Sequence, residues 1–181
     1  MTPVNYDEVI KRQDRLLTMC PNISKDFLDW LCDRGFFTAP ASTKYHGAYE
    51  GGLFDHSFEV ATQLLHLTEN NKLSWEKDGS PVIIGLFHDI CKMDQYRHPP
   101  SNPLQWEYRD DTLLKGHGEK SVMILASHMQ LSEEEVMCIR FHMGAFTEKS
   151  EWNDYTRAVR KYPNVLWTHH ADMLASNVKG L

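Results

Sequence analysis

The sequence predicts one mainly α-helical domain, with about seven helices and at most one short β-hairpin. Apolar residues recur every three or four positions along most of the chain, and several of these segments begin at a helix-capping residue. The 181 residues suffice for one core, and no repeat or linker divides them. We therefore expect a single domain over residues 1–181, with residues 1–38 as a helical extension packed on a core over residues 51–176.

Two helices are predicted ahead of a glycine-rich loop. Asn5 can cap the first helix, and Pro21 ends it. Ser24 begins the second helix, and Gly35 occupies a position where helices commonly end. The loop over residues 39–52 then leads directly into the third helix.

The central helices are predicted from two apolar segments. The first spans residues 53–67. Ser80 and Pro81 supply an N-cap and a first-turn proline for the next helix, over residues 82–89. Because this second segment is apolar on nearly all sides, we expect it at the centre of the fold.

The remainder of the chain is predicted as a short hairpin followed by helices. Alternating aromatic and polar residues over 104–114 favour the hairpin. Helices are expected from just after Gly116 to residue 128, over residues 132–142 behind a capping box, over residues 155–161, and from residue 164 onward.

Composition narrows the class of partner. The net charge is −6 and the hydrophobic fraction is 41%, so a small substrate is favoured and neither DNA nor a membrane is an expected partner. The four cysteines form no CxxC pair, which indicates buried free thiols in a reducing compartment. The N-terminus shows no secretory pattern and no apolar run is long enough to span a membrane, so we expect a cytoplasmic protein.

His88 and Asp89 follow the most apolar segment of the chain. Burying an imidazole beside a carboxylate costs several kcal/mol unless the charge is paired or bound to a cation. A metal ion is one partner that satisfies both groups. The alternative is that Asp89 caps or salt-bridges a neighbouring helix while His88 packs against it, and this pair of residues alone does not decide between them.

Further metal-type ligands fall in or at the ends of other helices. His56 stands near the start of one helix and Asp172 lies inside the last. His117 and His142 each have glycine close by, which lets backbone approach a shared site. Helices that each contribute nitrogen or oxygen ligands to a bundle interior commonly form metal sites.

The order of these residues resembles the H…HD…D signature of the HD superfamily of metal-dependent phosphohydrolases. Three stretches carry the resemblance: residues 51–57 around His56, residues 88–92, which resemble HDIGK with Cys91 in place of glycine, and residues 171–176 around Asp172. The resemblance covers most of the chain, from Gly51 to Ser176, and implies an HD-domain helical bundle.

The resemblance also implies a metal centre and a chemistry. A first ion would be held by His56, His88, Asp89 and Asp172. His117 and His142 match positions where many members add two histidines, which would bind a second ion with Asp89 bridging. Nitrogen and oxygen ligands of this kind suit Mn²⁺, Fe²⁺, Co²⁺, Ni²⁺ or Zn²⁺. Such ions activate water, so the expected reaction is hydrolysis of a phosphoester or phosphoanhydride bond in a nucleotide.

Other residues are candidates for catalysis and substrate binding. Asp89 and Lys92 are the expected catalytic residues, with Lys92 directed toward a phosphate group. Trp106 is a candidate for stacking on a nucleobase, and Glu119 for orienting a ligand or water as a supporting residue. Three basic residues are candidates for binding further phosphate charge: Arg97, Arg109 and Lys115. The alternatives are that the basic residues are solvated and that Trp106 covers the core.

Three other functions stay open at this point. Residues 106–117 also resemble part of HD-domain 3′–5′ exoribonucleases, for which single-stranded RNA would be the substrate. Some HD-fold proteins use the same six ligands in di-iron oxygenases, and a nucleotide sensor without catalysis would need no turnover. The sequence also leaves open whether the protein forms a homo-oligomer.

Overall fold

The computed structural model describes residues 5–102, 104–112 and 116–181, and it confirms the mainly α-helical prediction. Its described part contains eight α-helices: α1 (Tyr6–Met19), α2 (Lys25–Asp33), α3 (Gly52–Asn71), α4 (Ser80–Phe87), α5 (Gly118–Ala126), α6 (Glu133–Arg140), α7 (Trp152–Lys161) and α8 (Asn164–Met173). Short 3-10 helices cover Ile90–Asp94, Gly144–Phe146 and Lys149–Glu151, and a π-helix over Leu174–Lys179 continues α8. One antiparallel pair, β1 (Tyr96–Arg97) and β2 (Glu107–Tyr108), forms the one short hairpin among the described residues.

Local capping explains where several helices begin. The side chains of Asn5 and Ser24 accept hydrogen bonds from main-chain N–H groups in the first turns of α1 and α2. Ser132 and Glu135 form a complete capping box at the start of α6. Gly35 follows α2 with a φ of 82°, a left-handed conformation that glycine adopts without steric cost. All four positions agree with the sequence prediction.

Helices α3 and α4 lie at the centre of the core. Ile84, Leu86 and Phe87 of α4 are fully buried. Gly85 allows close contact with α3, because a β-carbon added there would lie 2.3 Å from the Cα of Ala61. The contact brings the C-terminal end of α4 against α3.

Three boundaries of this pair of helices differ from the prediction. Helix α3 continues to Asn71 and ends where Lys72 adopts a φ of 56°. Ser80 is the first residue of α4 rather than its cap, because its hydroxyl donates a hydrogen bond to Glu135 Oε1 at 2.9 Å. Helix α4 ends at Phe87, two residues earlier than expected.

Later boundaries differ as well. Strand β1 precedes the prolines of residues 99–100, so only one hairpin strand lies within the predicted segment. Helix α7 begins three residues before the predicted residue 155. Among the described residues, none of the helices is long and apolar enough to cross a membrane.

The N-terminal helix is attached to the start of α3 through an arginine. The Arg12 guanidinium donates to both carboxylate oxygens of Asp55, at 3.3 and 3.0 Å. It also donates to the main-chain oxygens of Phe37 and Glu50. This pairing fixes α1 beside the loop that leads to His56.

Candidate metal centre

The change from α-helix to 3-10 helix after α4 directs His88 and Asp89 inward. His88 keeps helical dihedral angles, but Asp89 leaves them with φ −108° and ψ 18°. A 3-10 helix then begins at Ile90 and carries Lys92 one turn further. His88, Asp89 and Lys92 are all buried. The change of helix type therefore places an imidazole, a carboxylate and an ammonium group in one interior region.

Three histidines are held in the same tautomer by main-chain oxygens. Nδ1 of His88 lies 2.9 Å from the Gly85 oxygen, and Nδ1 of His142 lies 2.7 Å from the Ile139 oxygen. Nδ1 of His56 lies 2.9 Å from the main-chain oxygen of Leu181. A main-chain oxygen only accepts hydrogen bonds, so each Nδ1 carries a proton, and in the neutral form of each ring the lone pair is on Nε2.

These lone pairs face one another and two carboxylates. The Nε2 atoms of His56 and His88 are 3.3 Å apart, and His56 Nε2 is 3.2 Å from Asp172 Oδ1. His142 Nε2 lies 3.5 Å from Asp89 Oδ1, and both atoms are buried without a hydrogen-bond partner. Buried acceptors that face only other acceptors are destabilising unless a cation lies between them, so the arrangement indicates a cation site.

The distances fit transition-metal ligands. Nitrogen and oxygen ligands bind such ions at about 2.1 Å, so two ligands on one ion lie about 3.0–3.6 Å apart at angles of 90–120°. The His56–His88 and His56–Asp172 pairs fall inside this range, as do the 3.5 Å pairs of Asp89 with His88 and with His142. His56 and Asp89 are further apart, at 3.9 Å.

Asp89 is also paired with a lysine. The Lys92 ammonium lies 2.6 Å from Asp89 Oδ2. Burial alone would raise the pKa of Asp89, but the Lys92 ammonium beside it holds the pKa of this carboxyl well below its ordinary value. Burial alone would lower the pKa of Lys92, but the Asp89 carboxylate holds it above its ordinary value. Both groups are therefore charged at neutral pH, and Lys92 is not a solvated surface residue.

The two additional histidines occupy different parts of the cluster. His142 groups with His88 and Asp89, whereas His117 groups with Asp89 and Cys91. The Cys91 sulfur lies 3.8 Å from His117 Nδ1. Sequence reasoning gave Cys91 no part in the site, and the available signal was its place inside the motif after the His–Asp pair.

A further histidine lies beside the cluster. The ring centroids of His46 and His56 are 5.0 Å apart. Burial lowers the pKa of His46 to about 4, so this imidazole is neutral at physiological pH. His46 stands in the glycine-rich loop, where the sequence pattern offered no reason to separate it from an ordinary histidine.

The candidate substrate residues lie on or near the hairpin. Arg97 pairs with Glu107 and Asp110, and both the arginine and its partners are substantially exposed. The ring of Trp106 lies 3.8 Å from that of His98, between centroids.

Three more candidates complete the set. Arg109 is bidentate to Asp111 on the surface. Glu119 pairs with Arg140 at 2.9 Å. Lys115 lies outside the described residues.

Comparison of the sequence with models of known protein families identifies the family of this chain. The model of the HD domain family matches residues 53–175, which include His56, His88, Asp89, and Asp172. A search of curated proteins and a search of solved structures gave no match. The family match covers well over half of the chain and contains the buried cluster described above. The chain therefore belongs to the HD domain family, a superfamily of metal-dependent phosphohydrolases.

Proposed function

We propose that this protein is a metal-dependent phosphohydrolase that cleaves a phosphoester or phosphoanhydride bond of a small nucleotide. The observation that carries the proposal is the set of bare Nε2 atoms facing carboxylates in the interior. In this proposal His56, His88 and Asp172 hold one divalent transition-metal ion. Asp89 would contribute to the same ion and to a second.

The second ion would be bound by His117 and His142, each of which groups with Asp89 in the structure. When bound, the ions supply a water nucleophile at neutral pH and polarise the phosphoryl oxygens of a substrate. The protein supplies orientation: each main-chain oxygen that accepts from an Nδ1–H fixes its imidazole so that Nε2 points inward.

Lys92 has a separate role in this proposal. An ammonium group has three donors, and one of them is directed to Asp89 Oδ2. The other donors are available to a phosphate oxygen, so Lys92 both keeps Asp89 ionised and binds substrate charge. Arg97 and Arg109 would have to exchange their present carboxylate partners for phosphate in order to contribute.

The choice of a small nucleotide rests on charge and on the hairpin. The net charge of −6 disfavours a polyanionic partner. Trp106, which packs beside His98 on the loop between β1 and β2, offers an aromatic face for a nucleobase.

All four cysteines are free thiols, which supports a reducing, cytoplasmic setting.

A phosphate-release screen tests the proposal. Metal-free protein would be loaded with Mn²⁺, Fe²⁺, Co²⁺, Ni²⁺ or Zn²⁺ and assayed against nucleoside mono-, di- and triphosphates. We expect release with at least one metal and none with chelator. Asp89→Asn should reduce the rate by at least about 100-fold, the upper end of the loss seen when a supporting group is removed from a metal site.

The matched control is Asp154→Asn, which removes a carboxylate from an exposed pair with Arg157 and should leave the rate unchanged. Turnover that survives chelation, or an Asp89→Asn variant with the rate of the wild type, would contradict the proposal. Three other results would also contradict it. The protein could shorten single-stranded RNA without hydrolysing nucleotides, or bind a nucleotide without forming product. It could also consume oxygen in the presence of iron without releasing phosphate.

A further inference from the structure

The cluster contains one soft ligand, the thiol of Cys91. Cys91 is 1% exposed and lies between Asp89 and Lys92, two residues that point into the site. One ligand atom from each of Asp89, Cys91 and His117 lies within 4.8 Å of the others. The motif that this stretch resembles has glycine here, so the thiol is a property of this chain.

The spacing of the sulfur and the imidazole suits a shared ion. A zinc ion binds sulfur at about 2.3 Å and nitrogen at about 2.0–2.1 Å, so tetrahedral ligands of these two types lie about 3.6 Å apart. The distance from Cys91 Sγ to His117 Nδ1 is 3.8 Å. The third member, Asp89, has a buried Oδ1 without a hydrogen-bond partner.

The backbone holds these groups in place. The main-chain N–H of Cys91 donates to the buried Ser121 hydroxyl at 3.3 Å, and the N–H of Ser121 donates to the His117 oxygen at 3.1 Å. At the start of α5, Gly118 packs directly on the main chain of Arg140, where any β-carbon would lie 2.0 Å from the oxygen. The sulfur and the imidazole are therefore positioned by α5 and by the packing of α5 on α6.

We propose that Cys91 is a thiolate ligand of the second metal ion, together with His117 and Asp89, and that it biases this position toward zinc and away from manganese. The inference rests on the proposed two-ion centre. On binding, the S–H bond breaks, its proton leaves to solvent and a sulfur–metal bond forms, without oxidation. Thiolates prefer Zn²⁺, whereas Mn²⁺ prefers oxygen ligands.

Cobalt provides a readout that does not depend on activity. A thiolate bound to Co²⁺ gives a near-ultraviolet charge-transfer band, and imidazole or carboxylate ligands do not. Metal-free wild-type protein titrated with Co²⁺ should show this band. Cys91→Ser should lose it while still binding cobalt through His56, His88 and Asp172. Cys138→Ser is the matched control, because Cys138 is equally buried and does not group with metal-type ligands among the described residues.

Competition titrations test the metal preference. Cys91→Ser should weaken zinc binding at the second position by at least about tenfold, with a smaller change for manganese. Cobalt bound to wild type without the band, or a band that persists in Cys91→Ser, would overturn the assignment of Cys91 alone. The wild-type spectrum decides this even if a variant fails to fold. Failure of wild type to bind cobalt at all would overturn the metal centre itself.

Discussion

The contact between α3 and α4 sets the spacing of the central histidines, and Gly85 permits that contact. A β-carbon added at Gly85 would lie 2.3 Å from Ala61 Cα and 2.5 Å from Ala61 N. Main-chain atoms cannot rotate away as a side chain can. Gly85→Ala must therefore separate the two helices by about 1 Å before the new methyl group reaches an ordinary contact distance.

Two opposing effects set the stability of the Gly85→Ala variant. Overpacking a filled core costs about 1–3 kcal/mol, and a clash with main-chain atoms belongs at the upper end. The better helix preference of alanine returns about 1 kcal/mol. The net loss in the free energy of unfolding is about 2 kcal/mol, which lowers the melting temperature of a chain of this size by about 4–8 °C.

The same shift should weaken metal binding. The Nε2 atoms of His56 and His88, 3.3 Å apart, would separate beyond the limit of about 3.6 Å for one ion. We expect at least about a tenfold loss of zinc affinity, measured by titration beside a thermal melt. The control is Gly79→Ala, whose added carbon meets nothing within 4 Å. A Gly85→Ala variant with the melting temperature and zinc affinity of the wild type would contradict the role assigned to Gly85.

Two further predictions concern charges away from the cluster. Burial alone would raise the pKa of Glu135, but its hydrogen bonds, including one from Lys77, hold it below its ordinary value. Its contribution to stability is thus fully present above the unfolded pKa of about 4.3 and is lost as pH falls through the folded pKa. Urea unfolding of Glu135→Gln should show a weaker dependence on pH in this acid range than wild type, and equal slopes would contradict this. Arg12→Ala should lower the free energy of unfolding by about 2 kcal/mol through loss of its hydrogen bonds to Asp55 and to main-chain oxygens. Arg12→Lys should recover less than half, because an ammonium lacks the planar fork, and full recovery in the same urea assay would count against that account.

The features predictable from sequence were those set by short-range chemistry. The caps at Asn5, Ser24 and Ser132 depend on residues three positions apart, so the sequence contains both partners. The histidines and carboxylates of the site could be predicted for a similar reason, because each lies in a short sequence motif. Ser80 was predicted wrongly as a cap, since its actual partner, Glu135, lies on a distant part of the chain.

The inner arrangement of the site depends on contacts that sequence does not contain. The end of α4 at Phe87 turns Asp89 inward, and no glycine or proline at that point signals the break. The burial of Lys92 follows from its pairing with Asp89 inside the fold. The approach of Cys91 to His117 depends on the packing of α5, which brings together residues that are 26 positions apart.

Anomalous diffraction from crystals grown with zinc tests the metal centre most directly. We expect a peak at about 2.0–2.2 Å from the Nε2 atoms of His56 and His88 and from a carboxylate oxygen of Asp172. A second peak should lie on the His117 side of Asp89. Absence of any peak at these atoms, with the histidines hydrogen-bonded directly to the carboxylates, would contradict the account.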